Sequence, residues 1–246
     1  MNCYILKRGM NLVMKKLIAI IIVLATIFVV MIIYKNSAIN SNNNVNIQEI
    51  NEIETYVNKI YMWKEITQEA LPCFEDINNA TAKWIWEVVK KNLEDYELTY
   101  EQIQEKAKEL FGDDFNKQFP KQGIEYLGYD GQRDKYYPEG RGLDEKEDSF
   151  LLNKIEKTKD GYEVEIVEYL EDYSNVISKE NDIIIIENTK EERVGELKSS
   201  EEDKVKELIK NNIDKFTKKK LILYSDETKE INKRCFVKSI QEVRIN

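Results

Sequence analysis

Residues 149–170 read SFLLNKIEKTKDGYEVEIVEYL, and this stretch decides the fold class. On both sides of Lys159, Asp160 and Gly161, apolar and polar side chains alternate with a period of two, as they do in a strand with one covered face. Asp-Gly is a common turn between antiparallel strands. The stretch therefore predicts a β-hairpin with strands at residues 149–157 and 162–170.

Three further strands follow. Residues 183–186 form a continuous apolar run, which predicts a strand covered on both faces. Residues 221–224 and 234–245 predict two more strands near the end of the chain. Between the strands predicted at 183–186 and 221–224, Ser199 with Glu202 forms a capping-box pattern, which predicts that a helix begins there.

Three helices are predicted before the hairpin. Apolar residues recur at helical spacing from residue 47 to residue 61, and again over residues 80–95. The third helix is delimited by a capping box of Thr99 with Gln102 and by Gly112 after its last turn.

The predicted order is three helices, a loop, three strands, a helix and two strands. This order indicates an α+β fold with an antiparallel sheet in one domain, residues 47–246. The domain divides into a helical part (47–111), a long glycine-rich loop (112–148) and a β-rich part (149–246). The arrangement resembles in style the small helix-plus-sheet modules of the cystatin or NTF2-like kind, and departs from them by the helix before the last two strands.

Residues 17–34 are 18 residues without a charge, LIAIIIVLATIFVVMIIY. As a helix they would span about 27 Å, close to the hydrocarbon thickness of a bilayer. The run is longer than the apolar part of an ordinary signal peptide, and a poor cleavage sequence follows it. It therefore predicts an uncleaved transmembrane signal anchor, with a cleaved signal peptide as the alternative.

The flanking charges predict the orientation of this anchor. Residues 1–35 hold five of the 37 basic residues and none of the 46 acidic ones, so the rest of the chain carries a formal net charge of −14. Four of these five basic residues precede the span, which favours a cytoplasmic N-terminus. We expect a short cytoplasmic tail (1–16), a linker (35–46) and an extracellular C-terminal domain of a single-pass cell-membrane protein on a bacterial surface. Translation starting at Met1 or at Met14 fits this reading.

The composition excludes several kinds of site. The chain has no His, which excludes His-based catalytic triads and His-ligated zinc or haem. No phosphate-binding glycine loop, nucleophile elbow or EF-hand loop occurs, and we expect no cofactor and no metal. The formal net charge of −9 argues against nucleic-acid binding.

The glycine-rich loop holds the candidate binding residues, since tyrosine supplies contact area with a hydroxyl and arginine can bind a carboxylate or phosphate. The candidates are Tyr129, Asp130, Arg133, Tyr136, Tyr137 and Arg141. The alternative is a solvated connection whose tyrosines pack back on the core.

Cys73 and Cys235 both fall in the predicted outer domain, where a disulfide is chemically permitted. Two free buried thiols are the favoured interpretation, and a disulfide between them stays open. The run Lys218, Lys219 and Lys220 is interpreted as a solvated strand edge, with contact to an anionic wall polymer or to lipid headgroups as the alternative.

These features favour a non-catalytic binding or interaction module at the cell surface. Its expected contacts are the membrane, through residues 17–34, and a protein or cell-wall partner. The alternative is a hydrolase of wall glycan or peptide that uses Asp and Glu carboxylates. An enzyme would have a concave pocket with converging acids and a raised carboxyl pKa.

Overall fold

The computed structural model describes residues 45–93, 97–125, 127–138, 146–178, 181–230 and 234–243. The predicted anchor, nearly all of the linker and Arg141 lie outside these residues. Within the described ranges, no helix combines the length and the apolar character that a membrane crossing requires.

The first half of the described chain is helical. Its α-helices are α1 (Ile47–Ile60), α2 (Lys64–Thr67), α3 (Ala82–Lys91) and α4 (Tyr100–Phe111), and a short 3₁₀ turn covers Ile77–Asn79. The capping box predicted for α4 is present, because the Gln102 amide donates to Thr99 Oγ1 at 3.2 Å and the Thr99 amide donates to Gln102 Oε1 at 2.8 Å. Gly112 follows α4 with φ of +92°, a value that glycine adopts without strain.

The second half is mostly strand. The strands are β1 (Leu127–Asp130), β2 (Lys135–Pro138), β3 (Lys146–Lys157), β4 (Gly161–Asp172), β5 (Ile183–Glu187), β6 (Arg193–Lys198), β7 (Thr217–Ser225) and β8 (Cys235–Glu242). Helix α5 (Ser174–Ile177) follows β4. A 3₁₀ helix (Ser199–Lys204), helix α6 (Val205–Asn211) and a 3₁₀ turn (Ile213–Lys215) precede β7.

All strand pairs of the main sheet are antiparallel, so the predicted α+β class with an antiparallel sheet is confirmed. The strand order is β6-β5-β4-β7-β8, and β3 pairs with β4 along the other edge of β4. β1 and β2 form a separate two-stranded hairpin.

The β3–β4 turn depends on Gly161. This residue has φ of +155°, and a Cβ placed on it would lie 2.1 Å from the Leu223 carbonyl oxygen. Any larger residue would therefore push β7 away, which explains the glycine of the Asp-Gly turn.

Helices cover both faces of the sheet around β4. On one face, Tyr162, Val164 and Ile166 are buried, and Tyr162 donates its hydroxyl to Glu49 of α1 at 3.0 Å. On the other face, Val167 and Tyr169 join a core that α6 completes. The eight buried members of that core are Leu151, Val167, Tyr169, Ile184, Ile186, Val205, Ile209 and Phe216.

Several segments differ from the expectations. β1, β2 and the start of β3 lie in the region predicted as a long loop, and β6 was not predicted because its Val194 and Leu197 are its only large apolar residues. In β5, only Ile184 and Ile186 are fully buried, so one of its two faces is only partly covered.

A helix begins at Ser199 as predicted, but its first turns are 3₁₀ and the predicted capping box is absent. Ser199 uses its hydroxyl and its amide to bond to Asp182, so the side chain is not available as a helix cap. The α-helix itself begins at Val205.

Candidate functional site

The predicted tyrosine residues lie on the β1–β2 hairpin, which a series of aromatic contacts joins to α3. Ring centroids are 5.1 Å apart from Trp86 to Phe119, 5.1 Å from Phe119 to Tyr136 and 4.9 Å from Tyr136 to Tyr129. Aromatic pairs at such distances stabilise packing beyond their buried area. The hairpin is therefore held against the helical part by its inward-facing tyrosine.

The structure separates the predicted binding residues into two groups. Tyr136 is a core residue, 2% exposed, and donates its hydroxyl to the Lys121 carbonyl at 3.0 Å. Tyr129, 40% exposed, donates to Asp134 at 2.8 Å. Tyr136 therefore contributes to packing, whereas Tyr129 contributes to the surface.

Arg133 has a side chain that is 66% exposed, at the turn of the hairpin. Asp130 and Glu97 lie 3.8 Å from its guanidinium, and its Nη1 donates to the Tyr137 hydroxyl at 3.4 Å. Tyr129, Asp130, Arg133 and Tyr137 thus share one hairpin. This exposed set is called the hairpin surface below.

A second candidate region occurs where one edge of β4 changes its partner. Up to Glu168, β4 pairs with β7, whose first residue Thr217 lies opposite Glu168. From Leu170 onward it pairs with β5, whose last residue Glu187 lies opposite Leu170. The end of β5 and the start of β7 therefore meet beside β4, and this place is called the strand junction.

A cleft of about 480 Å³ opens at the strand junction. Its size lies within the range of small-ligand sites in proteins. Four basic side chains and three acidic ones line it, in a chain whose overall charge is negative. The lining residues are Asn188, Thr189, Lys190, Glu192, Arg193, Val194, Asp214, Lys215, Phe216, Thr217, Lys218, Glu242 and Val243.

Hydrogen bonds hold the walls of the cleft in place. Asn188 accepts the Lys190 and Glu192 amides at Oδ1, at 2.9 and 3.0 Å, and donates Nδ2 to the Lys215 carbonyl at 3.2 Å. The hydroxyls of Thr189 and Thr217 lie 2.6 Å apart. The loop after β5 is thus joined to the start of β7, so the shape of the cleft is fixed without a ligand.

Beside the junction, the face of β4 that carries Tyr162 ends in a buried carboxyl group. Glu168 is 4% exposed, and its carboxyl group makes no hydrogen bond or ion pair with another residue that the structure describes. Burial raises its pKa to about 7, and the charge of Lys219 only partly opposes this shift. Asp148, Glu69 and Glu242 raise the pKa further.

The charge of Lys219 acts on this carboxyl group, and Lys219 is 6% exposed. Its Nζ donates to Cys73 Sγ at 3.4 Å and lies 3.5 Å from Glu69 Oε2. Burial opposes its charge, but Glu168, Cys73 and Glu69 together raise the pKa of Lys219. The ammonium group therefore stays charged in a buried position.

The lysine run of the sequence divides among three environments. Lys218 lines the cleft, Lys219 is buried beside Cys73, and Lys220 pairs with Glu163 at 2.6 Å. Successive residues of a strand point to opposite faces, which explains why Lys219 is separated from Lys218 and Lys220.

Both cysteines in the described part are free thiols, with Cys73 exposed and Cys235 buried. Burial raises the pKa of the Cys235 thiol to about 11. Of these two thiols, Cys73 is therefore the one that solvent can reach, and the prediction that both are buried is wrong for Cys73.

The charged residues do not form a metal site: within the described ranges, no group of three or more Cys, Asp and Glu side chains could hold an ion. Comparison of the chain with family models, curated proteins and solved structures found no significant match in any of the three.

Proposed function

We propose that the chain is a single-pass membrane protein whose folded part is an extracytoplasmic, non-catalytic binding module. In this proposal residues 17–34 are an uncleaved signal anchor with a cytoplasmic N-terminus, because that run is uncharged and basic residues precede it. An antiparallel sheet covered by helices also suits a small ligand-binding module that resembles those of the cystatin or NTF2-like kind.

The observation that carries the binding proposal is the cleft at the strand junction. Lys190, Lys218 and Arg193 line it, while the outer region of the chain is strongly acidic. Basic side chains outnumber acidic ones in the cleft by four to three, and a local excess of positive charge in an acidic protein attracts anionic groups. The proposed ligand is an anionic cell-wall polymer, which carries phosphate or carboxylate groups.

The hairpin surface is proposed as a second contact area, suited to a protein partner. Tyrosine and arginine are enriched where binding energy concentrates in interfaces. Tyr129 is positioned by its stacking on buried Tyr136, so little ordering is needed when a partner binds.

One observation favours the alternative, a carboxylate-dependent hydrolase: Glu168 has a pKa of about 7 because it is buried. Burial also raises the pKa of Glu171, the other described acid with a raised pKa. These two residues lie three apart in β4 and so point to opposite faces, and neither lines the cleft. The binding proposal is therefore the better supported of the two.

The test is retention of the detergent-solubilised full chain on purified bacterial wall. The double variant Lys190→Ala/Lys218→Ala is expected to lose about tenfold in affinity, since each exposed charge contact is worth up to about 1 kcal/mol. The control Lys159→Ala removes a cation from the β3–β4 turn, at the opposite end of β4, and should bind like the wild type.

Two further arms separate the candidates. Tyr129→Ala/Arg133→Ala should leave retention on wall polymer unchanged and reduce capture of a protein partner. Equal retention of wild type and Lys190→Ala/Lys218→Ala would remove the cleft from the proposal. Release of wall fragments by the wild type, with loss of release in Glu168→Gln, would establish the hydrolase instead.

A further inference from the structure

A second, separate site lies at Cys73, which the backbone holds in a fixed place. The next residue, Phe74, forms a two-hydrogen-bond bridge with Ile240 of β8, with both N···O distances at 2.9 Å. Cys73 is exposed, so soluble reagents can reach its sulfur. The thiol is thus presented by an ordered segment.

A buried cation faces this thiol. Lys219 extends from the interior of the sheet, and its Nζ lies 3.4 Å from Cys73 Sγ. An ammonium group at this distance stabilises a negatively charged sulfur, which is the nucleophilic form of cysteine. Since Lys219 is almost fully buried, water screens this attraction weakly.

Glu168 is the independent observation that points to a small polar reactant. It is 96% buried, it acts electrostatically on Lys219, and in the described part of the chain it has no hydrogen-bond partner. Buried polar groups normally have such partners, and exceptions are typical of sites that bind or react. Glu168 and Lys219 lie on the same face of the sheet, so this carboxyl group is directed toward the surroundings of Lys219.

We propose that Cys73 is a covalent modification site, at which hydrogen peroxide oxidises the sulfur and a small soluble thiol then forms a mixed disulfide with it. Sγ attacks one peroxide oxygen as the O–O bond breaks, which gives a sulfenic acid and a hydroxide that takes a proton to become water. The sulfur loses two electrons and the peroxide gains them.

The second step is a condensation. The thiol of the small molecule attacks the sulfenic sulfur, an S–S bond forms, and the hydroxyl leaves as water. Cys235 does not supply this thiol, because it is buried and its own pKa is raised to about 11. The described part of the chain thus offers no resolving thiol, and in this proposal the thiol comes from solution. This site does not depend on the proposed binding function.

The experiment uses the full chain in detergent at pH 7, treated with hydrogen peroxide and dimedone, which traps sulfenic acids. Peptide mapping by mass spectrometry separates Cys73 from Cys3 and Cys235. We expect Cys73 to be labelled about tenfold faster than an unstructured peptide of residues 70–76, and Cys235 to stay unlabelled. A second incubation with glutathione in place of dimedone should add one glutathione at Cys73.

Two variants test the role of the cation. Lys219→Met should lower the Cys73 rate about tenfold, whereas Lys220→Met, which removes the neighbouring cation on the opposite face, should change it less than twofold. Labelling of Cys235 reports unfolding; if Lys219→Met unfolds, Lys219→Arg should retain most of the wild-type rate.

The wild type alone can overturn the proposal. If Cys73 in the intact chain reacts no faster than the peptide, the structure does not activate this thiol. Equal rates in wild type and folded Lys219→Met would likewise remove Lys219 from the site.

Discussion

A carboxyl group lies at each end of one face of β4, Glu49 of α1 at the Tyr162 end and Glu168 of β4 itself at the other, and the two differ in how they are paired. At the Tyr162 end, Glu49 accepts hydrogen bonds from Lys157 at 2.6 Å and from the Tyr162 hydroxyl at 3.0 Å. At the Glu168 end, the carboxyl group has no such donor in the described residues. We call these the paired end and the unpaired end.

The two carboxyl groups show opposite pKa shifts for this reason. Burial raises the pKa of both, but hydrogen bonds from Lys157, the Asn46 amide and Tyr162 outweigh it at Glu49 and lower the pKa below its ordinary value. At Glu168, the charge of Lys219 does not outweigh burial, and the pKa is about 7. The comparison indicates that the hydrogen bonds to Glu49 stabilise its ionised form, whereas ionisation of the buried Glu168 costs stability.

The largest expected effect is at the paired end, where Arg234 donates Nε to Glu52 at 2.9 Å and both side chains are largely buried. Arg234→Met leaves the Glu52 carboxylate buried without its cation. The free energy of unfolding should fall by about 3–5 kcal/mol, measured by urea unfolding. Arg193→Met, which breaks an exposed pair with Glu196, is the matched control and should cost less than about 1 kcal/mol. Similar small losses in both variants would mean that the paired end does not stabilise the fold.

A smaller effect of opposite sign is expected at the unpaired end. The pKa of Glu168 is about 7 in the folded state and 4.5 ordinarily, so the folded state binds this proton more tightly than the unfolded state does. The stability gained from that proton is fully present below pH 4.5 and is lost as the pH rises to 7. Glu168→Gln removes this loss, so at pH 8 the variant should be more stable than the wild type by up to about 3 kcal/mol.

The pH dependence distinguishes this effect from a general change in packing. The stability difference between Glu168→Gln and wild type should shrink as the pH is lowered from 8 to 5, in urea unfolding at each pH. A difference that stays constant with pH would contradict a titrating Glu168. The control Glu163→Gln removes a carboxyl group from the opposite and more exposed face of β4, where it pairs with Lys220.

Local patterns predicted the β3–β4 turn and much of the helical part. The capping box at Thr99 and the Asp-Gly turn are interactions between residues close in the chain, so the sequence contains them directly. The antiparallel sheet followed from grouped strands with short turns. The Ser199 cap failed because a distant residue, Asp182, competes for the same hydroxyl.

The unpaired end left a signal in the sequence that the alternation rule could have detected. Tyr162, Val164 and Ile166 occupy one face, and continuing the period of two puts Glu168 on that same apolar face. What the sequence could not supply is the partner: β4 pairs with β7 some 50 residues away, and only that register brings Lys219 and Cys73 near.

The hairpin surface shows the same division between local and distant information. Tyrosines at 129, 136 and 137 were equivalent as candidates in the sequence. Tyr136 became a core residue because Phe119 and Tyr129 stack on it, and these contacts depend on how the β1–β2 hairpin packs.

β4 ends in a buried carboxyl group without a matching donor, and the titration of that group can be measured directly. Carbon-13 NMR of the Glu side-chain carboxyl groups, followed from pH 4 to pH 9 and assigned with Glu168→Gln, gives the titration midpoint of Glu168. We predict a midpoint near pH 7. A midpoint near 4.5 would show that Glu168 is hydrated or ion-paired, and would contradict the difference between the two ends.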